Sequence, residues 1–233
     1  MLIAGNWKMY KGAHQAREYA TQIRRLGGKG VDVVVCPPYV SLADAVQALA
    51  GTEIGVFAQS CHWEQEGPFT GEVSPSMLAE LGVTGAIVGH SERRQLFGET
   101  DESVSRRAEA ALEAGLRVIA CIGETEAERE AGETEAVLER QLTGIPRHER
   151  LVIAYEPVWA IGTGKTATPE IAQEAHAFVK SLHDAPVLYG GSVKPDNAAT
   201  LLALPDVDGA LVGGASLDLQ SFEAICRAGA EAA

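Results

Sequence analysis

The sequence predicts an α/β fold, a single closed (β/α)8 barrel over residues 1–233, on three observations. Short β-branched runs recur along the whole chain, and most are apolar throughout, as strands buried on both faces are. Helical patterns with their own start and stop signals lie between them, and parallel strands need such crossovers. No linker, low-complexity tract or shift in composition divides the 233 residues, a length that one barrel can use in full. An open doubly wound sheet is the alternative, with fewer strands as a rule and a cleft at its switch point.

In chain order the strands read near Leu2–Asn6, Val31–Cys36, Ile54–Ala58, Ala86–Gly89, Val118–Ile122, Leu151–Tyr155, Val187–Tyr189 and Ala210–Val212. Thr100, Asp101 and Glu102 open a helix that runs to Ala114, with a capping hydroxyl and an acidic first turn, and Gly115 stops it. Glu126 to Leu142 reads as one helix with Glu and Arg on its wet face. Thr168-Pro169-Glu170 opens another, with proline at the favoured first helical position.

Composition removes several classes of function. The formal charge is −13, which disfavours nucleic acid and anionic membranes as partners, so a phosphorylated ligand would need local attraction. No apolar run reaches the ~18–20 residues that span a bilayer, and MLIAGNWKMY does not read as a signal peptide, so the cytoplasm is expected. Cys36, Cys61, Cys121 and Cys226 are widely spaced and form no CxxC, which argues against a disulfide framework or a zinc site.

Chemistry in a parallel barrel collects where strands end. The first strand ends in Asn6-Trp7-Lys8; alternation puts Asn6 and Lys8 on one face and Trp7 on the other, as packing. A lone lysine there is ordinarily a solvated cation, but an Asn and a Lys aimed into a barrel mouth would want a ligand. The fourth strand runs into His90-Ser91-Glu92-Arg93-Arg94, which makes His90 a better catalytic candidate than His14, His62, His148, His176 or His183. Those five fall in helices or loops and are expected at the surface. Glu156 follows five mostly apolar positions; buried there, it is either salt-bridged to a lysine or used as a general base.

The segment Pro157 to Ala167 is long for a strand-to-helix loop, carries Val158, Trp159 and Ile161, and reads as a lid beside Glu156. Gly164-Lys165-Thr166 imitates the end of a nucleotide-binding loop, but Trp159 stands where that pattern requires glycine. Gly190-Gly191-Ser192 and Gly213-Gly214 follow the seventh and eighth strands, where this fold binds phosphate on backbone N–H groups.

These segments resemble the triosephosphate isomerase family along essentially the whole chain. The matching motifs are Gly5-Asn6-Trp7-Lys8-Met9, Phe69-Thr70-Gly71-Glu72-Val73-Ser74, Gly89-His90-Ser91-Glu92-Arg93-Arg94, Ala154 through Gly164 with Glu156-Pro157-Val158-Trp159 at its centre, and Tyr189-Gly190-Gly191-Ser192-Val193. The resemblance implies the TIM-barrel fold and interconversion of dihydroxyacetone phosphate and D-glyceraldehyde 3-phosphate, in glycolysis and gluconeogenesis. A glutamate base and a neutral histidine are the family's known pair, so the roles are carried over to Glu156 and His90 rather than derived. Lys8 would supply a fixed positive charge, and Asn6 a hydrogen bond to a charged oxygen. Gly162, Gly213, Gly214 and Ser192 would hold the phosphate. No cofactor or metal is implied. Cys61 to Glu72 corresponds to a loop that inserts into a second subunit, which implies a homodimer with Thr70 near the partner's Asn6 and the partner's Lys8.

Two departures stand out. The chain is shorter than the roughly 250 residues typical of the fold, with a tight Ser181–Pro186 join on the side away from the chemistry. Tyr10 follows Met9 where the family more often has asparagine or histidine. Other phosphosugar barrels, aldolases or epimerases, would want a lysine inside the barrel or metal ligands; a non-catalytic phosphate-binding barrel would not need both Glu156 and His90.

Overall fold

The computed structural model describes residues 1–28, 30–161 and 166–233. Eight parallel strands close on themselves: β1 (Leu2–Asn6), β2 (Asp32–Cys36), β3 (Gly55–Ala58), β4 (Gly85–Val88), β5 (Arg117–Ile122), β6 (Leu151–Tyr155), β7 (Val187–Tyr189) and β8 (Gly209–Val212). Each pairs with the next in sequence, and Leu2 of β1 lies opposite Gly209 of β8 to complete the ring. The closed order excludes the open doubly wound sheet.

Around the barrel run α1 (Ala13–Ile23), α2 (Leu42–Leu49), α3 (Pro75–Glu80), α4 (Ser91–Phe97), α5 (Asp101–Glu113), α6 (Glu126–Glu130), α7 (Thr134–Leu142), α8 (Pro169–Leu182), α9 (Ala198–Leu202) and α10 (Leu219–Ala232). The expected caps form. The Thr100 hydroxyl accepts the Ser103 N–H, and the Thr168 hydroxyl accepts that of Ile171. The single helix expected from Glu126 to Leu142 is two. Gly132 takes a φ of +74° between α6 and α7, a turn that glycine makes without strain and that ends a helix.

Alternation along the strands sorts the core into two layers. Leu2, Ala4, Val34, Cys36, Phe57, Ile87, Ile119, Cys121, Val152, Ala154, Leu188 and Leu211 fill the barrel. Their neighbours Ile3, Val33, Val35, Val118, Ala120, Ile153 and Tyr155 face the helices. Trp7 falls in the outer layer, fully buried and edge-on to Tyr19 at 5.3 Å. Its role is packing, as expected. All four cysteines are buried and free.

Three of the five histidines expected at the surface are buried: His62, His176 and His183. Helical phase explains His176, which shares the inner face of α8 with Ala172, Ala175 and Val179. Its ring lies between those of Tyr155 and Tyr189, and its Nδ1–H donates to Asp206 O at 3.2 Å. Burial depresses its pKa to about 4. His62 stacks on Trp63 and lies tilted against Phe69, each at 4.3 Å, and so gives the Cys61–Glu72 loop an aromatic core of its own. Nδ1 of His183 accepts the Ala185 N–H at 3.2 Å and closes the turn into β7.

Candidate active site

The inward rows of β1, β6 and β8 lead to one mouth. On β1 the row Leu2, Ala4 continues to Asn6; on β6, Val152, Ala154 continues to Glu156; on β8, Leu211 continues to Gly213. Asn6, Lys8, His90, Glu156, Ser192, Gly213 and Gly214 all line a single cavity of about 730 Å³. Of the residues expected in the site, only Gly162 lies outside the described residues.

Lys8 adopts a φ of +50°, a left-handed conformation that costs a side-chain-bearing residue about 1–2 kcal/mol. Two contacts hold it there. Its own N–H donates to Asn6 Oδ1 at 3.0 Å, and Gln59 Nε2 donates to the Lys8 carbonyl at 2.7 Å and to that of Cys36 at 2.8 Å. The ammonium forms an ion pair with Glu92 Oε1. Lys8 is therefore a fixed charge at the cavity wall and not a solvated cation.

His90 reaches the cavity by a break in the strand pattern. Strict alternation would put it in the outer layer with Ala86 and Val88. Gly89, at a φ of +68°, turns the chain first, and a Cβ there would stand 2.8 Å from both methyls of Val104. Side chains satisfy both backbone groups of that turn: Gly89 N–H donates to Glu99 Oε2 at 3.2 Å, and Arg94 Nε donates to Gly89 O at 2.8 Å. His90 then caps α4, its Nδ1 accepting the Glu92 N–H at 3.2 Å. A ring whose Nδ1 accepts carries its proton on Nε2.

Glu156, only 2% exposed, meets both residues at the start of α4. Its Oε2 accepts the Ser91 N–H at 2.7 Å, and its Oε1 lies 3.0 Å from His90 Nε2. The short approach is not a hydrogen bond: Glu156 Oε1 is buried with no hydrogen-bond partner among the described residues, so an unmatched carboxylate oxygen stands beside the imidazole edge and the Lys8 ammonium. Among the described residues no lysine is bonded to Glu156.

The glycines keep this geometry open. A Cβ on Gly190 would approach Glu156 Cγ to 2.8 Å, and one on Gly213 would come to 3.3 Å from Lys8 Cε. Lys194 joins Lys8 on the cavity wall, which also carries the carboxylates of Glu92, Glu156 and Asp196. Among the described residues no three His, Cys, Asp or Glu side chains gather as a metal site, and no helix is long and apolar enough to cross a membrane.

Sequence reading missed Glu124. It is fully buried, one residue past the Gly123 that follows β5. It accepts from Trp159 Nε1 at 2.9 Å and from Tyr155 Oη at 3.2 Å, with Arg129 Nη1 at 3.3 Å. Burial, and next the Glu124 charge, push the Tyr155 hydroxyl well above its ordinary pKa. The rule that found Glu156, a carboxylate straight after an apolar strand, also applies to Gly123-Glu124. Val158 to Ala160 forms a short 3-10 turn, with Trp159 tied down through Glu124 rather than exposed. Val158 and Ile161 line the cavity.

The family model described as Triosephosphate isomerase matches residues 1–229. A triosephosphate isomerase of Pelobacter propionicus is 51% identical over 239 aligned positions, covering 95% of each chain. One from Solibacter usitatus is 52% identical over 242, covering 96% of this chain and 97% of that protein. One from Moorella thermoacetica is 52% identical over 242, covering 96% of each.

Proposed function

The chain belongs to the triosephosphate isomerase family, and from that premise we propose how its own residues perform the family's reaction. The protein is an isomerase that interconverts dihydroxyacetone phosphate and D-glyceraldehyde 3-phosphate, a step of glycolysis. In our reading residues 1–233 form one catalytic domain.

Glu156 takes a proton from the carbon next to the carbonyl. The C–H electron pair becomes the enediolate double bond, and negative charge moves to the carbonyl oxygen. His90 Nε2–H donates to that oxygen, and Asn6 and Lys8 stabilise the charge that develops there. Glu156 then returns the proton to the neighbouring carbon, and the hydroxyl proton moves between the two oxygens through His90. The backbone N–H groups of Gly213 and Gly214, with Ser192, take the phosphate; Gly162 would complete that set. Val158 and Ile161, which line the cavity, would help keep water from the enediolate; residues 162–165 of the lid expected from Pro157 to Ala167 lie outside the described residues.

One observation carries this reading: His90 Nδ1 accepts a backbone N–H, which leaves its proton-bearing Nε2 3.0 Å from Glu156 Oε1. Isotope exchange tests it. In deuterated water the enzyme should place deuterium on the substrate carbon, and Glu156→Gln should lower both the exchange and the turnover by orders of magnitude. Exchange that persists at the parent rate would remove Glu156 as the base.

We also propose a homodimer. Met9 is 92% exposed, Val40 76%, Leu96 73% and Phe97 68%, and Tyr10 and Phe69 are exposed as well. These residues follow β1, β2, β3 and β4, four adjacent strands, so they share one side of the mouth. An apolar surface of this kind favours association. The Cys61–Glu72 loop, preformed by its aromatic core and held by Arg107 at the Cys61 carbonyl, is the element we assign to the partner. Glycolytic substrate and four free, buried thiols support a cytoplasmic location.

A further inference from the structure

Gly123 sits where β5 has lost its neighbours. The pairing of β5 with β6 ends at Ile122 opposite Tyr155, and its pairing with β4 ends at Ala120 opposite Val88. A buried backbone N–H and C=O left there without partners would be costly. Gln141 of α7 satisfies both. Gly123 N–H donates to Gln141 Oε1 at 2.7 Å, and Gln141 Nε2 donates to Gly123 O at 3.2 Å. The amide is only 6% exposed and stands in for a missing strand.

The other face of Gly123 touches the base. A Cβ there would lie 1.8 Å from the Glu156 carbonyl oxygen and 2.7 Å from its carbonyl carbon, so the two backbones are in direct contact. On either side the same turn binds the same segment: Glu156 N–H donates to Ile122 O at 2.7 Å, and Val158 N–H to Glu124 O at 3.1 Å. Glu156 therefore rests on a turn whose middle residue is held from behind by one side chain. We infer that Gln141 is a positioning residue for the isomerisation, its amide fixing the strand-end turn against which the backbone of Glu156 lies. This rests on the reading of Glu156 as the base.

The test compares Gln141→Leu, Gln141→Glu and Glu156→Gln with the parent, using kcat, KM and competitive inhibition by inorganic phosphate. Displacement of a reacting group by a fraction of an ångström acts on the chemical step and spares anion binding. In Gln141→Leu, kcat should fall roughly tenfold or more while inhibition by phosphate stays within about twofold. The deuterium isotope effect on proton abstraction should rise. A folded Gln141→Leu protein with parental kcat and isotope effect, merely less heat-stable, would overturn the inference.

Gln141→Glu keeps it testable should the leucine variant not fold. A carboxylate still accepts from Gly123 N–H but cannot donate to Gly123 O until it is protonated. Arg94, Glu99, Asp101, Glu128 and Arg140 line the same cavity in variant and parent alike, so the ratio of their activities isolates position 141. That ratio should rise severalfold from about pH 8 to about pH 6 as burial helps the new carboxyl take a proton. A flat ratio would overturn the inference. Parental turnover in Glu156→Gln would instead sink the assignment of the base, a separate failure.

Discussion

The backbone N–H of Ser91 donates to Glu156 Oε2 at 2.7 Å, from the first turn of the same helix that His90 caps. The proposed base and the proposed electrophile are thus set against each other by one helix start. Glu156→Gln preserves an oxygen that can accept the Ser91 N–H and removes the proton acceptor. Turnover should fall about 10²–10⁴-fold, the usual share of a general base, while inhibition by inorganic phosphate is retained. Steady-state kinetics decide this, and parental kcat in a folded variant counts against the assignment.

Removing the Lys8 ammonium has two effects that can be separated. Lys8→Met takes a cation from the cavity and leaves Glu92 as an uncompensated anion near an anionic substrate. We expect kcat/KM to fall by about two orders of magnitude. The double variant Lys8→Met/Glu92→Gln should recover part of that loss, because the repulsion goes with the carboxylate. If the double variant is no faster than the single, Glu92 repulsion plays no part.

Sedimentation at micromolar concentration should give a dimer for the parent chain. Phe97→Glu puts a charge into the exposed apolar surface beside Arg93, whose guanidinium now lies 5.2 Å from the Phe97 ring. That variant should sediment as a monomer or dissociate at much higher concentration. A monomeric parent would refute the proposed assembly.

His176 makes stability depend on pH in a defined direction. Its folded pKa, about 4, lies below the ordinary 6.5, so the folded state keeps the ring neutral where the unfolded chain protonates it. The unfolded state binds more protons between those values, and stability falls as pH drops through that window. The linked loss is on the order of 3 kcal/mol, fully expressed below about pH 4 and absent above about pH 6.5. His183 is shifted the same way, by burial first and then by Arg147. Urea unfolding at pH 7 and pH 5 should show a smaller drop for His176→Phe than for the parent; equal drops would exclude His176 as the source.

The strands were legible because burial on both faces writes itself as continuous apolar runs: β1, β6 and β7 begin and end where the sequence places them. Asn6, His90 and Glu156 were legible as residues of the cavity wall because polar groups at the ends of such runs are conspicuous. Glu124 obeys the same rule but was passed over, its partners Trp159 and Tyr155 lying some thirty residues away in sequence. Gln141 could not have been read this way. It sits in an ordinary helix, and only the folded chain brings it to Gly123. His62, His176 and His183 were misjudged because a histidine in a helix or loop looks wet until its neighbours are known.

The alternation that carries Val152, Ala154 and Glu156 inward has a bearing on how the chain can change in length. One residue inserted within β6 would exchange the two faces of everything after it, putting the carboxylate where Tyr155 now packs against the helices. Insertions and deletions in the strands are thus closed to this protein, whereas the turns that enter them from the opposite end, at Pro146–Arg150 and His183–Pro186, can be trimmed or extended without re-aiming a catalytic atom. Variation in size among functional versions of this barrel should accumulate at that pole.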